Sequence, residues 1–275
     1  MRTNHWLLVS SPWPTICLCI LYLVGVNLGQ RIMAHRRPFD LKIPMVLYNL
    51  FLVLLSIYMV YELIMSSWLV PGFPFRCALV DRSDNPDSLR LAAAVWWYYF
   101  SKIIEFADTT FFVLRKKTNQ ITFLHLYHHT SMPLLWWIGT HYAPGGEAYF
   151  SATVNSAVHV IMYSYYLLSA LGPWVQPYLW WKKYLTSLQL FQFGVVLVKT
   201  SYSVYSGCEY PRLFQKMLIA YMLSLIIFFS NFFYQTYHRK PRAKGKAVLN
   251  GNSCHKEMSN GQPAHIQNGM KGKDE

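Results

Sequence analysis

Charge is scarce in this chain. Only 13% of its 275 residues are Asp, Glu, Lys or Arg, against 53% hydrophobic and 17% aromatic, a balance that excludes an ordinary soluble domain. Acid is scarcer still: 12 Asp and Glu face 25 Lys and Arg, for a net charge of +13. That excess does not point to nucleic acid, because the Lys and Arg lie in short clusters between apolar runs and in the C-terminal tail, where membrane topology puts them. No cleavable leader stands out either. The first long apolar run follows Pro12 and Pro14 with no basic region immediately before it, so the first helix is expected to be retained. No internal repeat is visible, although six similar spans after the first would permit two three-helix halves.

What remains is apolar sequence of spanning length. Seven segments can be drawn, at about 15–34, 45–66, 91–114, 121–140, 148–169, 183–206 and 213–236, each near the roughly 20 residues a bilayer core requires. The fold class expected is therefore an all-α polytopic membrane protein with a transmembrane domain over 1–239. Residues 240–275 are rich in Lys, Gly, Asn and Ser and nearly free of large apolar side chains, a composition expected to give a disordered tail. Arg31, Arg36, Arg37 and Lys42, then Arg115, Lys116 and Lys117, then Lys182 and Lys183, and the Lys and Arg of the tail all fall on one side. The positive-inside rule puts that side in the cytosol and the N-terminus in the lumen. Cys77 and Cys208 then sit in lumenal loops, where a disulfide between them is expected, although spacing alone cannot establish connectivity.

The chemistry gathers around His125-Leu126-Tyr127-His128-His129. On a helix these three histidines stand at i, i+3 and i+4, on one face, in an apolar run where polar side chains are costly and usually functional. Other spans carry polar groups too. Lys102, Glu105, Asp108 and Thr109 lie in the third, Asn155, His159, Tyr163 and Tyr165 in the fifth, and Thr186, Gln189 and Gln192 in the sixth. By helical rise all of these fall in the cytosolic half. Beside them Arg115, Lys116, Lys117, Lys182 and Lys183, with Trp180 and Trp181, form a basic, aromatic mouth suited to a polyanion such as a nucleotide or coenzyme A. The apolar half beyond would take an acyl chain.

His-x-x-His-His also occurs in di-iron desaturases and hydroxylases, but such a site needs about eight imidazoles. Only His125, His128, His129 and His159 lie within the spans, so no metal site is expected. A seven-span receptor or transporter is a further alternative, though neither needs four polar motifs at one depth.

The motifs His125-x-x-His128-His129, Lys102-x-x-Glu105-x-x-Asp108-Thr109, Asn155-x-x-x-His159-x-x-Met162-Tyr163-x-Tyr165-Tyr166 and Thr186-x-x-Gln189-x-x-Gln192 together resemble the very-long-chain fatty acid elongases. The resemblance runs from about Pro12 to Tyr237. It implies an acyltransferase of the endoplasmic reticulum, a 3-oxoacyl-CoA synthase that joins acyl-CoA and malonyl-CoA with loss of carbon dioxide and coenzyme A. It also implies six helices in an inverted barrel around an acyl tunnel. No cofactor beyond the two substrates is expected. Expected partners are the reductases and dehydratase of the elongation cycle and other elongase chains in homo- or hetero-oligomers.

No Cys lies near the histidine motif, so a cysteine thioester is not expected. His128 is the expected nucleophile, with His125, His129 and His159 assisting and Asn155 or Tyr165 stabilising an oxyanion. Lys102, Glu105, Asp108, the basic mouth, Gln189, Gln192 and Lys199 are assigned to substrate binding. Lys199 stands where the family usually has His, and it would either cap the tunnel or snorkel to the lumenal interface. Lys271 and Lys273, five and three positions from the end, resemble a retrieval signal of the reticulum.

Overall fold

The computed structural model describes residues 3–238; the expectations on the tail and its retrieval signal lie outside them. Eight α-helices and no strand occur among the described residues. They are α1 (Trp13–Ala34), α2 (Lys42–Leu63), α3 (Pro86–Ile104), α4 (Phe106–Leu114), α5 (Phe123–Tyr142), α6 (Ala148–Leu171), α7 (Lys182–Tyr205) and α8 (Arg212–Tyr237). A π-helical turn, Ile64–Trp68, extends α2. Three helices are long and apolar enough to cross a bilayer on that basis alone: α1, α2 with its extension, and α8. They present Ile20, Leu21, Ile43, Leu47, Leu213 and Ile227 outward, as helices bounded by lipid do. The chain is a multi-pass membrane protein.

The expected third span, 91–114, is not one helix. It breaks at Glu105, whose backbone turns at φ −62° and ψ −11°, and the Asp108 N–H reaches back only three residues, to the Glu105 carbonyl at 3.1 Å. Such a tightened turn departs from the α-helical repeat. It leaves the Glu105 carboxylate buried among the motifs of α3 and α6. The start of α3 is set by Pro86 after Asn85, whose side chain accepts from the Asp87 N–H at 3.1 Å, a capping arrangement that satisfies a first-turn donor.

Helix α2 packs along α6 and against α3; α6 meets α7, α7 meets α8, α8 touches α5, and α5 packs on α3. Helix α1 lies against α4 and α5. At Gly29 a Cβ would stand 2.9 Å from a Val113 methyl, so the close approach of α1 to α4 depends on a small residue there.

The two ends of the bundle differ. At one, Cys77 and Cys208 are joined by a disulfide, which ties the loop after α2 to the loop after α7. Gly146 (φ +56°) packs beneath that loop, where a Cβ would meet the Ala78 carbonyl at 2.8 Å and the Tyr210 ring at 2.9 Å. The Ala78 N–H donates to Glu147 Oε1 at 2.8 Å. At the opposite, basic end, the Lys116 ammonium donates to the carbonyls of Ala34 and Arg36 at 3.0 and 3.2 Å. It thereby satisfies carbonyls at the end of α1 that have no intrahelical partner.

Candidate functional site

The histidine motif sits in the first two turns of α5. Thr122 caps this helix, its hydroxyl accepting the His125 N–H at 3.2 Å, so the cap fixes which face each ring takes. The three rings are contiguous, with centroids 4.2 Å apart for His125 and His129 and 5.3 Å for His128 and His129. They are engaged differently, however. His125 Nε2 is 2.7 Å from the Thr109 hydroxyl, which is itself 2.8 Å from Tyr22 OH, so α4 and α1 hold that ring. His128 instead lines a large cavity. Pro133, one turn beyond His129, can supply no N–H to the carbonyl four residues back. Nearby, Ser131 donates to the Tyr127 carbonyl at 2.6 Å and meets Tyr221 OH at 2.9 Å, which ties α5 to α8.

Facing His128 is a buried charged cluster. Lys102 Nζ donates to Glu105 Oε1 at 2.8 Å, and both residues are almost wholly buried, at 1% and 2% exposure. The same carboxylate oxygen lies 3.3 Å from His159 Nδ1. Lys102 also reaches Asn155 Oδ1 at 3.3 Å, and the Tyr98 hydroxyl donates to that oxygen at 2.5 Å. With two donors on Oδ1, the orientation of the Asn155 amide is determined. Its NH2 group is the part left for the cavity, which Asn155, Tyr98 and His128 all line. A donor aimed beside a nucleophile can stabilise a developing oxyanion.

The cavity runs from His128, Asn155 and Gln192 to Glu147, Thr200, Tyr210 and Gln215. Its middle is apolar, walled by Met132, Leu135, Phe193, Val196, Leu218 and Met222. From Leu225 to Gln215 along α8 the helical rise gives a length of about 15 Å. Gln192 is 4% exposed and its Oε1 has no hydrogen-bond partner among the described residues.

Other expected site residues lie elsewhere. Tyr165 packs edge-on against Trp181, with centroids 5.0 Å apart, and does not line the cavity; the hydroxyl that reaches Asn155 is that of Tyr98. Asp108 accepts from Tyr163 OH at 2.9 Å, and the Gln189 amide rests 3.5 Å from Met162 Sδ. Lys199 is not in the cavity wall itself; it pairs at 2.7 Å with Oε2 of Glu147, which is, at the start of α6. Of the basic mouth, Lys116 is spent on the end of α1, while Lys117, Lys182 and Lys183 are exposed. Lys183 lies 5.7 Å from the Phe233 ring centre. Arg115 donates to Met45 Sδ at 3.0 Å and lines a second pocket with Lys42, Asp40 and Ser169.

The sequence reading missed Tyr98, Glu147 and Gln215. For the first, the position one helical turn before Lys102 is a signal only once its partner Asn155 is known. The other two have none, since each stands at the start of a helix where polar residues are ordinary.

Comparison with known proteins follows this geometry. Residues 7–245 match the model of the ELO, GNS1/SUR4 family. The chain is 47% identical to human very long chain fatty acid elongase 4 over 99% of its own length and 87% of that protein's. It is 47% identical to rat very long chain fatty acid elongase 7, over 91% and 90%. With mouse very long chain fatty acid elongase 2 the identity is 46%, over 98% and 90%.

Proposed function

The chain belongs to the ELO family, and from that premise we propose that it joins a long-chain acyl-CoA to malonyl-CoA in the chamber between His128 and Asn155. It is an enzyme of fatty acid elongation, and the condensing step is its reaction. The observation that carries the site assignment is the pinned amide: Asn155 Oδ1 is taken by Tyr98 and Lys102, which leaves its NH2 facing the cavity beside His128.

In the proposed mechanism a ring nitrogen of neutral His128 attacks the acyl thioester carbonyl. The C–S bond breaks, coenzyme A leaves with a proton, and an acyl-imidazole forms. Malonyl-CoA then loses carbon dioxide, and the resulting enolate carbon attacks the acyl carbonyl. The C–N bond breaks, 3-oxoacyl-CoA forms and His128 is restored. Asn155 donates to the oxyanion in both additions. His159, held by Glu105, and His129 handle protons. The reaction as proposed draws on no group beyond the two substrates.

The helix contacts support an inverted barrel of six spans around an acyl tunnel, with α1 outside and α3 and α4 together making one span, for seven in all. The charge pattern supports a lumenal N-terminus and residence in the endoplasmic reticulum. Delivery of the 3-oxoacyl product to reductases and a dehydratase follows from the chemistry of that product. Desaturase and receptor readings have no support in the relatives.

The test is incubation of purified protein with labelled acyl-CoA and malonyl-CoA. A 3-oxoacyl product two carbons longer, lost in His128→Ala, is expected. Turnover by His128→Ala at the wild-type rate would remove His128 from the chemistry.

A further inference from the structure

The far end of the cavity is polar. Glu147, Thr200, Tyr210 and Gln215 line it there, beyond an apolar middle. Gln215 is only 2% exposed. Its Nε2 donates to Ser203 Oγ at 3.0 Å, and its Oε1 has no hydrogen-bond partner among the described residues. A buried amide oxygen in that state is costly, and it calls for a donor that none of the described residues supplies. The neighbouring charge is not spare, because Glu147 is already matched by Lys199 at 2.7 Å. The end of the cavity therefore offers a neutral polar group.

We propose that this end recognises a hydroxylated chain terminus, so that the enzyme elongates ω-hydroxyacyl-CoA in preference to the methyl-ended chain of the same length. The inference rests on the cavity being the acyl site. A methyl end that reaches Gln215 leaves the amide unsatisfied. A hydroxyl end donates to Oε1, and it would equally accept from the NH2 group if the amide turned over, since the Ser203 hydroxyl can serve either orientation. The match is thus independent of which way the amide points. A carboxylate end would instead bring a second anion beside Glu147. Chemistry at the thioester end, about 15 Å away by the rise of α8, is unchanged.

The experiment is a competition. Purified full-length protein is given malonyl-CoA and an equal mixture of ω-hydroxyacyl-CoA and methyl-ended acyl-CoA, over a series of chain lengths, and the ratio of elongated products is read. One net hydrogen bond corresponds to a preference on the order of threefold to tenfold for the hydroxylated chain. It should peak at one length and vanish when the hydroxyl is moved two carbons inward. Gln215→Met should bring the ratio at that length toward one. The wild-type length profile needs no variant, so it decides the matter even if Gln215→Met fails to fold. Methyl-ended chains elongated with no preference at any length would overturn the hydroxyl site alone, as would a preference that survives Gln215→Met. No elongation of either series would overturn the elongase reading and the hydroxyl site with it.

Discussion

Glu105→Leu is expected to be far more damaging to stability than the double change Lys102→Met/Glu105→Leu. In the single variant Lys102, 1% exposed, loses the carboxylate 2.8 Å from its ammonium and keeps only Asn155 Oδ1 and His159 Nδ1 as polar neighbours, at 3.3 and 3.5 Å. Breaking a buried pair from one side costs about 3–5 kcal/mol, which for a domain of this size lowers Tm by about 6–20 °C. In the double variant both charges are gone and apolar side chains of similar length fill the space, an exchange that is often neutral. Its Tm should lie within a few degrees of the wild type. Elongation should nonetheless fail in both, because His159 loses Glu105, and in the double variant Asn155 also loses one of the two donors that orient it. Thermal unfolding of the purified protein, read beside the product assay, gives the double-mutant cycle. Equal destabilisation of the single and double variants would refute the buried pair, and a double variant that turns over normally would refute its link to the site.

Three further outcomes are expected. Tyr98→Phe should lower kcat on the order of tenfold with KM nearly unchanged, as one hydrogen bond to Asn155 is lost, whereas Asn155→Ala should lower it about 10²–10³-fold; steady-state kinetics of the pair check this. Cys208→Ser opens a bridge between residues 131 apart in sequence and should cost about 2–5 kcal/mol, and wild type in reductant should show the same fall in Tm. Lys116→Ala should leave the KM for acyl-CoA unchanged, since that ammonium is bound to the end of α1; a several-fold rise in KM would return it to the substrate mouth.

Much of this site can be read from residue spacing, and the reason is physical. A polar group in a membrane span must find a partner, so Lys102, Glu105, Asn155 and His159 at helical spacing announce both their cost and one another. The i, i+3, i+4 pattern of His125, His128 and His129 likewise gives contiguous rings. Spacing does not say where each ring is engaged: His125 turns to Thr109 and only His128 lines the cavity. Nor does it locate the break at Glu105, because the apolar run resumes through Phe111 and Val113. Tyr98 looks like any aromatic of an apolar helix. The mouth illustrates the opposite error, because Lys116 satisfies both topology and a helix end and so carries no information about ligands. For Lys199 spacing offers a tunnel cap or the lumenal interface and not its partner, Glu147, which stands at the start of a different helix. Cys77 and Cys208 were legible as a pair because only two cysteines fall in loops on that side.

The acyl-imidazole on His128 is tested most directly by mixing the purified protein with long-chain acyl-CoA in the absence of malonyl-CoA, quenching rapidly and measuring the intact mass. A mass increase of one acyl group, mapped to His128, removed on addition of malonyl-CoA and absent from His128→Ala, is the predicted result. Protein that forms 3-oxoacyl-CoA at its full rate yet never carries the acyl group would contradict it, and would assign His128 to base catalysis of a direct condensation.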